Sequence, residues 1–241
     1  MLYPFNIKIN TDGSYRDLYG WTVISMVSNT KKLCFLEQYI KDNSILADHF
    51  SPLPPESYHM TLCGIWNTGC KLLNYQEKFL KKNYSYDDAK SLIADSRGVE
   101  FFNPKGCING LLEQIDQAIS NIPICDTKNL IIDGIYQTNS TLHITFVKTN
   151  HFDKCTSTVK KICEINKNNM VYHITLAYKY KNIEPHIVNE INNLLSTFNL
   201  LIRGQTIQVG KPMVSYFSNM KGFITYKAAL HCNSHEPITY D

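Results

Sequence analysis

Apolar and polar positions alternate along the first part of the chain in a way that predicts strand, helix and strand. Residues 20–27 are an apolar run rich in β-branched residues, and residues 57–65 are a second run that is typical of a strand. Residues 30–49 carry apolar positions at helical spacing. The prolines of residues 51–56 cannot continue that helix, because proline removes a backbone donor and favours extended geometry in its predecessor. We therefore expect one strand, helix, strand unit here.

The second part of the chain repeats this order. Strands are expected at residues 142–148 and 170–178, with a short helix at 156–166 between them. The match of the two units, element for element, predicts internal pseudo-symmetry. Helices are also expected at residues 72–80, 108–119 and 184–201, and strands at 130–136, 206–217 and 222–228.

The domain organisation follows from the absence of a linker in the sequence. No tract rich in Pro, Gly or Ser separates the two units, so we expect residues 1–241 to form a single domain with two lobes. Lobe one is expected at about 18–106 and lobe two at about 126–230, after an N-terminal strand or extension at 1–17.

Composition narrows the class of protein. Hydrophobic residues make up 44% and charged residues 19%, which excludes a disordered chain, and a net charge of only +3 argues against a partner such as duplex DNA. No apolar run approaches the ~20 residues of a membrane helix, so no membrane partner is expected. The 8 cysteines include no CxxC pair, which is typical of reduced thiols in a cytoplasmic protein.

A repeated pentapeptide is the most informative feature. YHMTL begins at Tyr58 and YHITL begins at Tyr172, each on an expected strand. Since side chains alternate along a strand, His59 and Thr61 share one face, as do His173 and Thr175. A two-lobed fold can turn both faces into one cleft.

Two imidazoles and two hydroxyls suit metal-free cleavage of a phosphodiester. One neutral imidazole can accept a proton from the attacking oxygen, while the other, protonated, donates to the leaving oxygen. The threonine hydroxyls can donate to the non-bridging phosphate oxygens. His59 and His173 are therefore the candidate catalytic residues, and Thr61 and Thr175 the candidate phosphate ligands.

A third His-x-Thr copy lies at His143 and Thr145. By pseudo-symmetry it occupies the opening strand of its unit, whereas His173 occupies the closing strand, as His59 does. We therefore favour His173 as the second catalytic residue. His143 either lines the same cleft or is a histidine satisfied within the sheet.

Other side chains near the motifs are candidates for base or phosphate contacts. Nucleobases stack on aromatic rings, and a lysine can neutralise a phosphate, although core packing and a solvated strand end are the alternatives. These candidates are Tyr58, Trp66, Tyr172 and Lys179. Alternation along the strand places Lys179 on the face of His173 and Thr175. The sequence contains no HExxH motif and no tight Cys/His cluster, so no metal and no cofactor are expected.

The paired motifs resemble those of the 2H phosphoesterase superfamily, also called LigT-like or cyclic phosphodiesterases. The block from Leu53 to Leu62 is similar to the first motif of some family branches, and residues 218–223 resemble their C-terminal hairpin. The resemblance implies an α+β, bilobal fold in which two pseudo-symmetric antiparallel sheets surround a central cleft with helices outside. It also implies that His59 and His173 are the acid and base, and that Thr61 and Thr175 bind phosphate.

The resemblance further implies a small nucleotide substrate and no obligate protein partner. The preferred candidate is the cyclic dinucleotide 2′,3′-cGAMP, a messenger of innate immune signalling, because the Asn, Ile, Lys and Tyr richness suits a large DNA virus acting in the host cytosol. The alternatives are a 2′-5′ oligoadenylate and an RNA 2′,3′-cyclic phosphate end. The opposing class is a non-catalytic protein that sequesters a nucleotide.

Overall fold

An antiparallel sheet connects the two halves of the chain in the computed structural model, which describes residues 7–28, 30–68, 71–94, 106–122, 128–147, 149–164 and 171–231. Its strands are β1 (Gly20–Met26), β2 (Phe50–Pro52), β3 (His59–Asn67), β4 (Lys128–Gln137), β5 (Thr141–Phe146), β6 (His173–Lys179), β7 (Thr206–Val209), β8 (Met213–Phe217) and β9 (Ile224–Thr225). They are paired in the order β7-β4-β5-β6-β3-β1-β8-β9, and β2 pairs with β6.

Helices pack against this sheet, which confirms the mixed α+β class. The helices are α1 (Cys34–Asp42), α2 (Ser44–Ala47), α3 (Asn74–Asn83), α4 (Tyr86–Ala94), α5 (Asn109–Ser120), α6 (Asn150–Ile162), α7 (Pro185–Ile202) and α8 (Tyr226–Ala229). Helices α5, α6 and α7 contact β8, β3 and β4, respectively.

Strands β3 and β6 join the two halves. They pair antiparallel through Met60 and Ile174, and both of these side chains are fully buried. The sheet is therefore continuous from the first half to the second. Its hydrogen bonding does not separate the two antiparallel sheets that the resemblance implies.

The two units share an irregular register as well as a sequence motif. Between β1 and β3 the register moves from Val23↔Cys63 to Ile24↔Thr61, so Leu62 is passed over. Between β5 and β6 it moves from Leu142↔Ala177 to His143↔Thr175, so Leu176 is passed over. An extra residue on one strand is a β-bulge. Each bulge falls on the buried leucine that ends the pentapeptide.

The sheet curls so that β7, which stands at one end of the pairing order, contacts the segment that follows β1 in the first half of the chain. Val209, which ends β7, forms an isolated bridge with Val27, which follows β1. The Ser28 N–H donates to the Gln208 carbonyl at 2.8 Å, and the Gly210 N–H donates to the Met26 carbonyl at 2.8 Å. Strands that are distant in the pairing order are thereby held together at one end.

The helix expected at residues 30–49 is interrupted. A 3-10 turn at Thr30–Lys32 precedes α1, and Asn43 separates α1 from α2. Asn43 adopts extended geometry, with φ −88° and ψ 110°, and its side chain accepts a hydrogen bond from the Leu46 N–H. An asparagine that caps a new helix in this way ends the preceding one, because the cap needs non-helical geometry.

The C-terminal prediction of two long strands is wrong in its boundaries. Residues 206–217 form two strands, β7 and β8, which pair with β4 and β1 respectively. Gly210 and Pro212 lie between them, and proline cannot donate to a sheet. In residues 222–228 only β9 is a strand, and the Thr225 side chain caps α8 directly after it.

Three other elements differ from the sequence expectation. The polar segment before residue 94 contains α4, which the pattern did not predict, and the proline-rich segment contains β2. Helix α6 begins at Asn150, because Thr149 accepts a hydrogen bond from the Phe152 N–H. The expected helix end at 165–166 and strand start at Met170 lie outside the described residues.

The cysteines do not all remain thiols. Among the described residues, Cys34, Cys63, Cys107 and Cys163 are free, but Cys155 on α6 is disulfide-bonded. The expectation of reduced thiols throughout is therefore wrong at Cys155. In the described part of the chain, no helix has the length and apolar character needed to cross a bilayer.

Gly20 is required by a close approach of β1 to its neighbours. A Cβ there would lie against the Trp66 carbonyl oxygen and 2.6 Å from Phe217 Cζ. We expect Gly20→Ala to lower the free energy of unfolding by about 1–3 kcal/mol, because backbone must shift to accept the methyl group. Urea unfolding measures this change.

The matched control is Gly64→Ala, since a Cβ at Gly64 meets nothing within 4 Å. We expect its change to stay within about 0.5 kcal/mol. Equal effects of the two substitutions would contradict the close packing at Gly20.

Candidate active site

Three His-x-Thr segments lie on adjacent strands of the sheet. In β5 and β6, His143 is opposite Thr175, and Thr145 is opposite His173. Residues directly opposite one another in an antiparallel pair project from the same face. These four side chains therefore form a two-by-two array on one face.

The first motif joins the same face through the pairing of β3 with β6. Met60 and Ile174 are paired and buried, so they project into the core. His59 and Thr61 flank Met60, just as His173 and Thr175 flank Ile174, and alternation places all four on the opposite face. The two copies of the pentapeptide thus meet side by side.

Both histidines of the repeated motif are oriented by the same backbone contact. His59 Nδ1 lies 2.7 Å from the Ser57 carbonyl oxygen, and His173 Nδ1 lies 2.9 Å from the Val171 carbonyl oxygen. A carbonyl oxygen only accepts, so Nδ1 carries the proton in each ring. Nε2 of each ring then remains for proton transfer.

His59 lies in a partly closed environment. It is half-buried, and its ring centroid lies 4.0 Å from that of Phe223, which follows the turn after β8. Burial lowers the pKa of His59 to about 4, and the positive charges of Lys8 and His173 act in the same direction. His59 is accordingly neutral at neutral pH and suited to accept a proton.

His143 lies beside His173 but is held differently. The two ring centroids are 5.0 Å apart, and His143 Nδ1 contacts the Thr141 hydroxyl at 3.3 Å instead of a carbonyl. His143 is 8% exposed, and burial lowers its pKa to about 4, with a smaller contribution from His173. It adds a neutral polar ring to the site.

A cavity of about 780 Å³ opens beside these motifs. It extends from His173 along β5 and β6 to the β4–β5 turn, and Ile7 and Lys8 from the N-terminal segment also line it. Its lining residues are Ile7, Lys8, Thr138, Ser140, Thr141, His143, Val171, His173, Thr175 and Tyr178. The cavity is large enough for a nucleotide-sized ligand.

The N-terminal extension supplies Lys8 to this cavity. Ile9 and Tyr15 form an isolated antiparallel bridge, and the Tyr15 hydroxyl donates to the Ser51 carbonyl at 2.9 Å, which fixes the extension on β2. Lys8 Nζ lies 3.1 Å from the Tyr178 hydroxyl and 5.2 Å from the centre of that ring. A positive charge is thus held over β6.

Two of the expected base contacts lie in the core. Tyr58 is 0% exposed and Trp66 is 3% exposed, and Trp66 pairs with Trp21 at the far end of β3 from His59. A buried ring cannot stack on a base in the cleft. The expectation for Tyr58 and Trp66 is therefore wrong, and both rings pack the core.

Tyr172 also packs against protein. Its ring meets that of Phe152 on α6 edge to face at 5.1 Å, and Lys160 lies 5.3 Å above it. Tyr172 therefore packs against α6 just before β6 begins, and it is not among the described residues that line the cavity.

Lys179 was expected to share the face of His173 and Thr175, but the bulge at Leu176 changes the alternation. Beyond the bulge, Tyr178 lies opposite Thr141 and takes the cleft side, and Lys179 falls on the other face opposite Phe50. Lys179 is accordingly not among the lining residues, and the expectation of a phosphate contact there is wrong.

Several lining residues carried no motif in the sequence. Lys8 belongs to an extension without apolar periodicity, and the hairpin resemblance of residues 218–223 assigns no role to Phe223. The Thr-Asn-Ser cluster at residues 138–140 is a turn signal between two expected strands, and it is the one sequence signal near Thr138, Ser140 and Thr141. No group of three or more potential metal ligands among His, Cys, Asp and Glu is found among the described residues.

Comparison with known proteins supports the resemblance in part. Residues 8–104, which include His59 and Thr61, match the family model 2H-phosphodiest, described as a domain of unknown function (DUF1868). A conserved protein of unknown function from Agrobacterium tumefaciens str. C58 has a similar structure, with a TM-score of 0.67, 16% identity and 94% of each chain covered. The family match supports a 2H phosphoesterase-like fold for the residues that it covers.

One viral protein and one further solved structure are also similar to this chain. Protein 127L of Invertebrate iridescent virus 6, which is uncharacterized, is 26% identical over 87% of this chain and 93% of its own length. The structure of Usb1 from Kluyveromyces marxianus aligns with a TM-score of 0.41 and 10% identity, over 88% of this chain and 98% of that one. A TM-score this low carries no argument for function.

The environment of His59 gives a direct prediction for its titration. We expect nuclear magnetic resonance to show a pKa of about 4 for His59 in the wild-type protein. In Lys8→Met the pKa is expected to rise, because a neighbouring positive charge disfavours the imidazolium and its removal relieves that effect. The exposed Lys81→Met is the control and leaves the value unchanged.

A His59 pKa near the ordinary 6.5 in the wild-type protein would contradict this account of burial.

Proposed function

We propose that the protein is a metal-independent 2H phosphodiesterase that cleaves a small nucleotide with a ribose 2′ position in the reaction. The observation that carries the proposal is the pairing of two matched His-x-Thr motifs on one face, each histidine held through Nδ1 by a carbonyl. The residues about 18–106 and 126–230 then act as the two lobes around the cleft.

In the proposed reaction His59 is the base and His173 is the acid. The Nε2 of neutral His59 takes the proton of the attacking oxygen, which is a ribose hydroxyl or a water molecule. The oxygen forms a bond to phosphorus, the bond from phosphorus to the leaving oxygen breaks, and Nε2–H of protonated His173 supplies the proton to that oxygen. The low pKa of His59 supports this assignment of roles.

Thr61 and Thr175 are the proposed phosphate ligands. Each hydroxyl lies on the same face as its histidine, two residues further along the strand, about 7 Å from it along the backbone. Donors in these positions can bind the two non-bridging oxygens and hold the phosphorus between the imidazoles. Thr175 lines the cavity with His173.

The specific substrate that we propose is 2′,3′-cGAMP, so that cleavage would end innate immune signalling in a host cytoplasm. The cavity of about 780 Å³ suits a ligand of dinucleotide size, and the similarity to a viral protein supports an activity in an infected cell. The competing substrates are a 2′-5′ oligoadenylate and an RNA that ends in a 2′,3′-cyclic phosphate.

Substitution of the histidines tests the mechanism. The purified protein is incubated with the three substrates and a chelator, and the products are followed by chromatography. We expect one substrate to be cleaved, and both His59→Ala and His173→Ala to lower kcat/KM by about 10²–10⁴-fold, because each removes a proton-transfer group. His143→Ala is expected to cause a smaller loss.

The matched control is His186→Ala, which alters an exposed histidine near the start of α7. It is expected to leave kcat/KM unchanged. Binding without cleavage would favour the sequestering protein, and activity that survives both active-site substitutions would contradict the proposed mechanism.

The pH dependence tests the assignment of the base. His59 must be neutral to accept a proton, so kcat/KM is expected to fall with decreasing pH through a pKa of about 4. An ordinary histidine base would produce this fall near pH 6.5. A fall near pH 6.5 would therefore contradict the role of buried His59.

A further inference from the structure

The cavity is asymmetric with respect to the two paired motifs. Apart from Ile7 and Lys8, its described lining comes from the second half of the chain, and it continues past His173 toward the β4–β5 turn. On the side of the first motif, Phe223 lies against His59. A ligand whose phosphodiester lies between the two histidines therefore extends along β5 and β6.

Beyond the bulge at Leu176, the path has a second level of side chains, where a level is a pair of cleft-facing residues opposite one another on β5 and β6. Beyond the level of His143 and Thr175, the next cleft-facing pair is Thr141 and Tyr178. Two residues of β5 separate the levels, which corresponds to about 7 Å along the strand. Successive phosphates of a nucleotide chain have a separation of this order, so one ligand can reach both levels.

Hydroxyl groups are concentrated at the second level. The Thr138 and Thr141 hydroxyls lie 2.9 Å apart, and Thr141 contacts His143 at 3.3 Å. Ser140 lies between them in the turn and also lines the cavity. Thr138 accepts from the backbone N–H of Thr141 at 3.1 Å, which fixes the turn. Hydroxyl donors in a fixed array can bind phosphate oxygens.

The charge at this level favours an anion. Lys8 contacts the Tyr178 hydroxyl, and Tyr15 meets the Tyr178 ring edge to face at 6.1 Å, with Lys221 placed 5.4 Å above Tyr15. Lys8 and Lys221 thus lie over the rings of Tyr178 and Tyr15, respectively. The described lining of the cavity contains Lys8 and no carboxylate.

We propose that Lys8, Tyr178 and the hydroxyls of Thr138, Ser140 and Thr141 form a second phosphate-binding subsite. This subsite, which rests on the proposed function for its link to the reactive centre, selects nucleotides that carry a further phosphate one nucleotide step from the phosphodiester that is cleaved. The corresponding positions in the first half are Thr22 and Gly64. The Thr22 hydroxyl is buried and donates to the Cys63 carbonyl, and Gly64 has no side chain, so this pair does not repeat the subsite.

Binding of a nucleoside bisphosphate tests the subsite without turnover. Calorimetry compares adenosine 2′,5′-bisphosphate with adenosine 2′-monophosphate, and we expect the wild-type protein to bind the bisphosphate at least about tenfold more tightly. Lys8→Met is expected to reduce this ratio to about two or less, whereas Lys8→Arg retains most of it. Thr141→Val, which removes one hydroxyl and keeps the charge, is expected to reduce the ratio a few-fold.

The control is Lys81→Met, which removes an exposed lysine that pairs with Glu77 on α3. An equal loss of the ratio in Lys81→Met and Lys8→Met, or no preference for the bisphosphate in the wild-type protein, would overturn the subsite.

Cleavage assays separate this proposal from the proposed function. The substrates are adenylyl-(2′→5′)-adenosine with and without a 5′-phosphate, and the phosphorylated form is expected to have the higher kcat/KM. Cleavage without any preference for bisphosphate or for the 5′-phosphate would overturn the subsite alone. A bisphosphate preference that Lys8→Met abolishes, in a protein that cleaves neither these dinucleotides nor the three candidate substrates named above, would support the subsite and overturn the phosphodiesterase.

Discussion

The site depends on one contact between strands, the pairing of Met60 on β3 with Ile174 on β6. Both side chains are buried, and this burial fixes which face of each strand is turned to the core. A shift of one residue in either strand would move its histidine and threonine into the core, because the alternation of a strand has a period of two. The apolar residue in the middle of each pentapeptide therefore positions the polar residues on either side of it.

The two halves share their backbone plan but differ in what they place in the cleft. In the first half, Ile24 and Met26 lie opposite Thr61 and His59, whereas in the second half His143 and Thr145 lie opposite Thr175 and His173. Phe223 and burial keep His59 neutral, while the second half adds hydroxyls and the N-terminal extension adds Lys8. An asymmetric site of this kind suits a reaction in which one imidazole accepts a proton and the other donates one.

The sequence was sufficient for features that repeat and insufficient for those set by tertiary contacts. The duplicated pentapeptide predicted the strands of His59 and His173, and helical spacing predicted α5 and α7. Lys179 was placed on the wrong face because a bulge at Leu176 is not visible in an apolar run. Lys8 reaches the cavity only because Tyr15 anchors its hairpin on β2, and the burial of Tyr58 and Trp66 depends on packing between elements.

The most direct test of the central claim is a double-mutant cycle on kcat/KM for His59→Ala and His173→Ala. The account places both imidazoles on one phosphorus atom in one step, so the loss in the double variant should be close to the larger single loss and far below the product of the two. Losses that multiply, as they do for independent sites, would contradict a single site built from the two motifs.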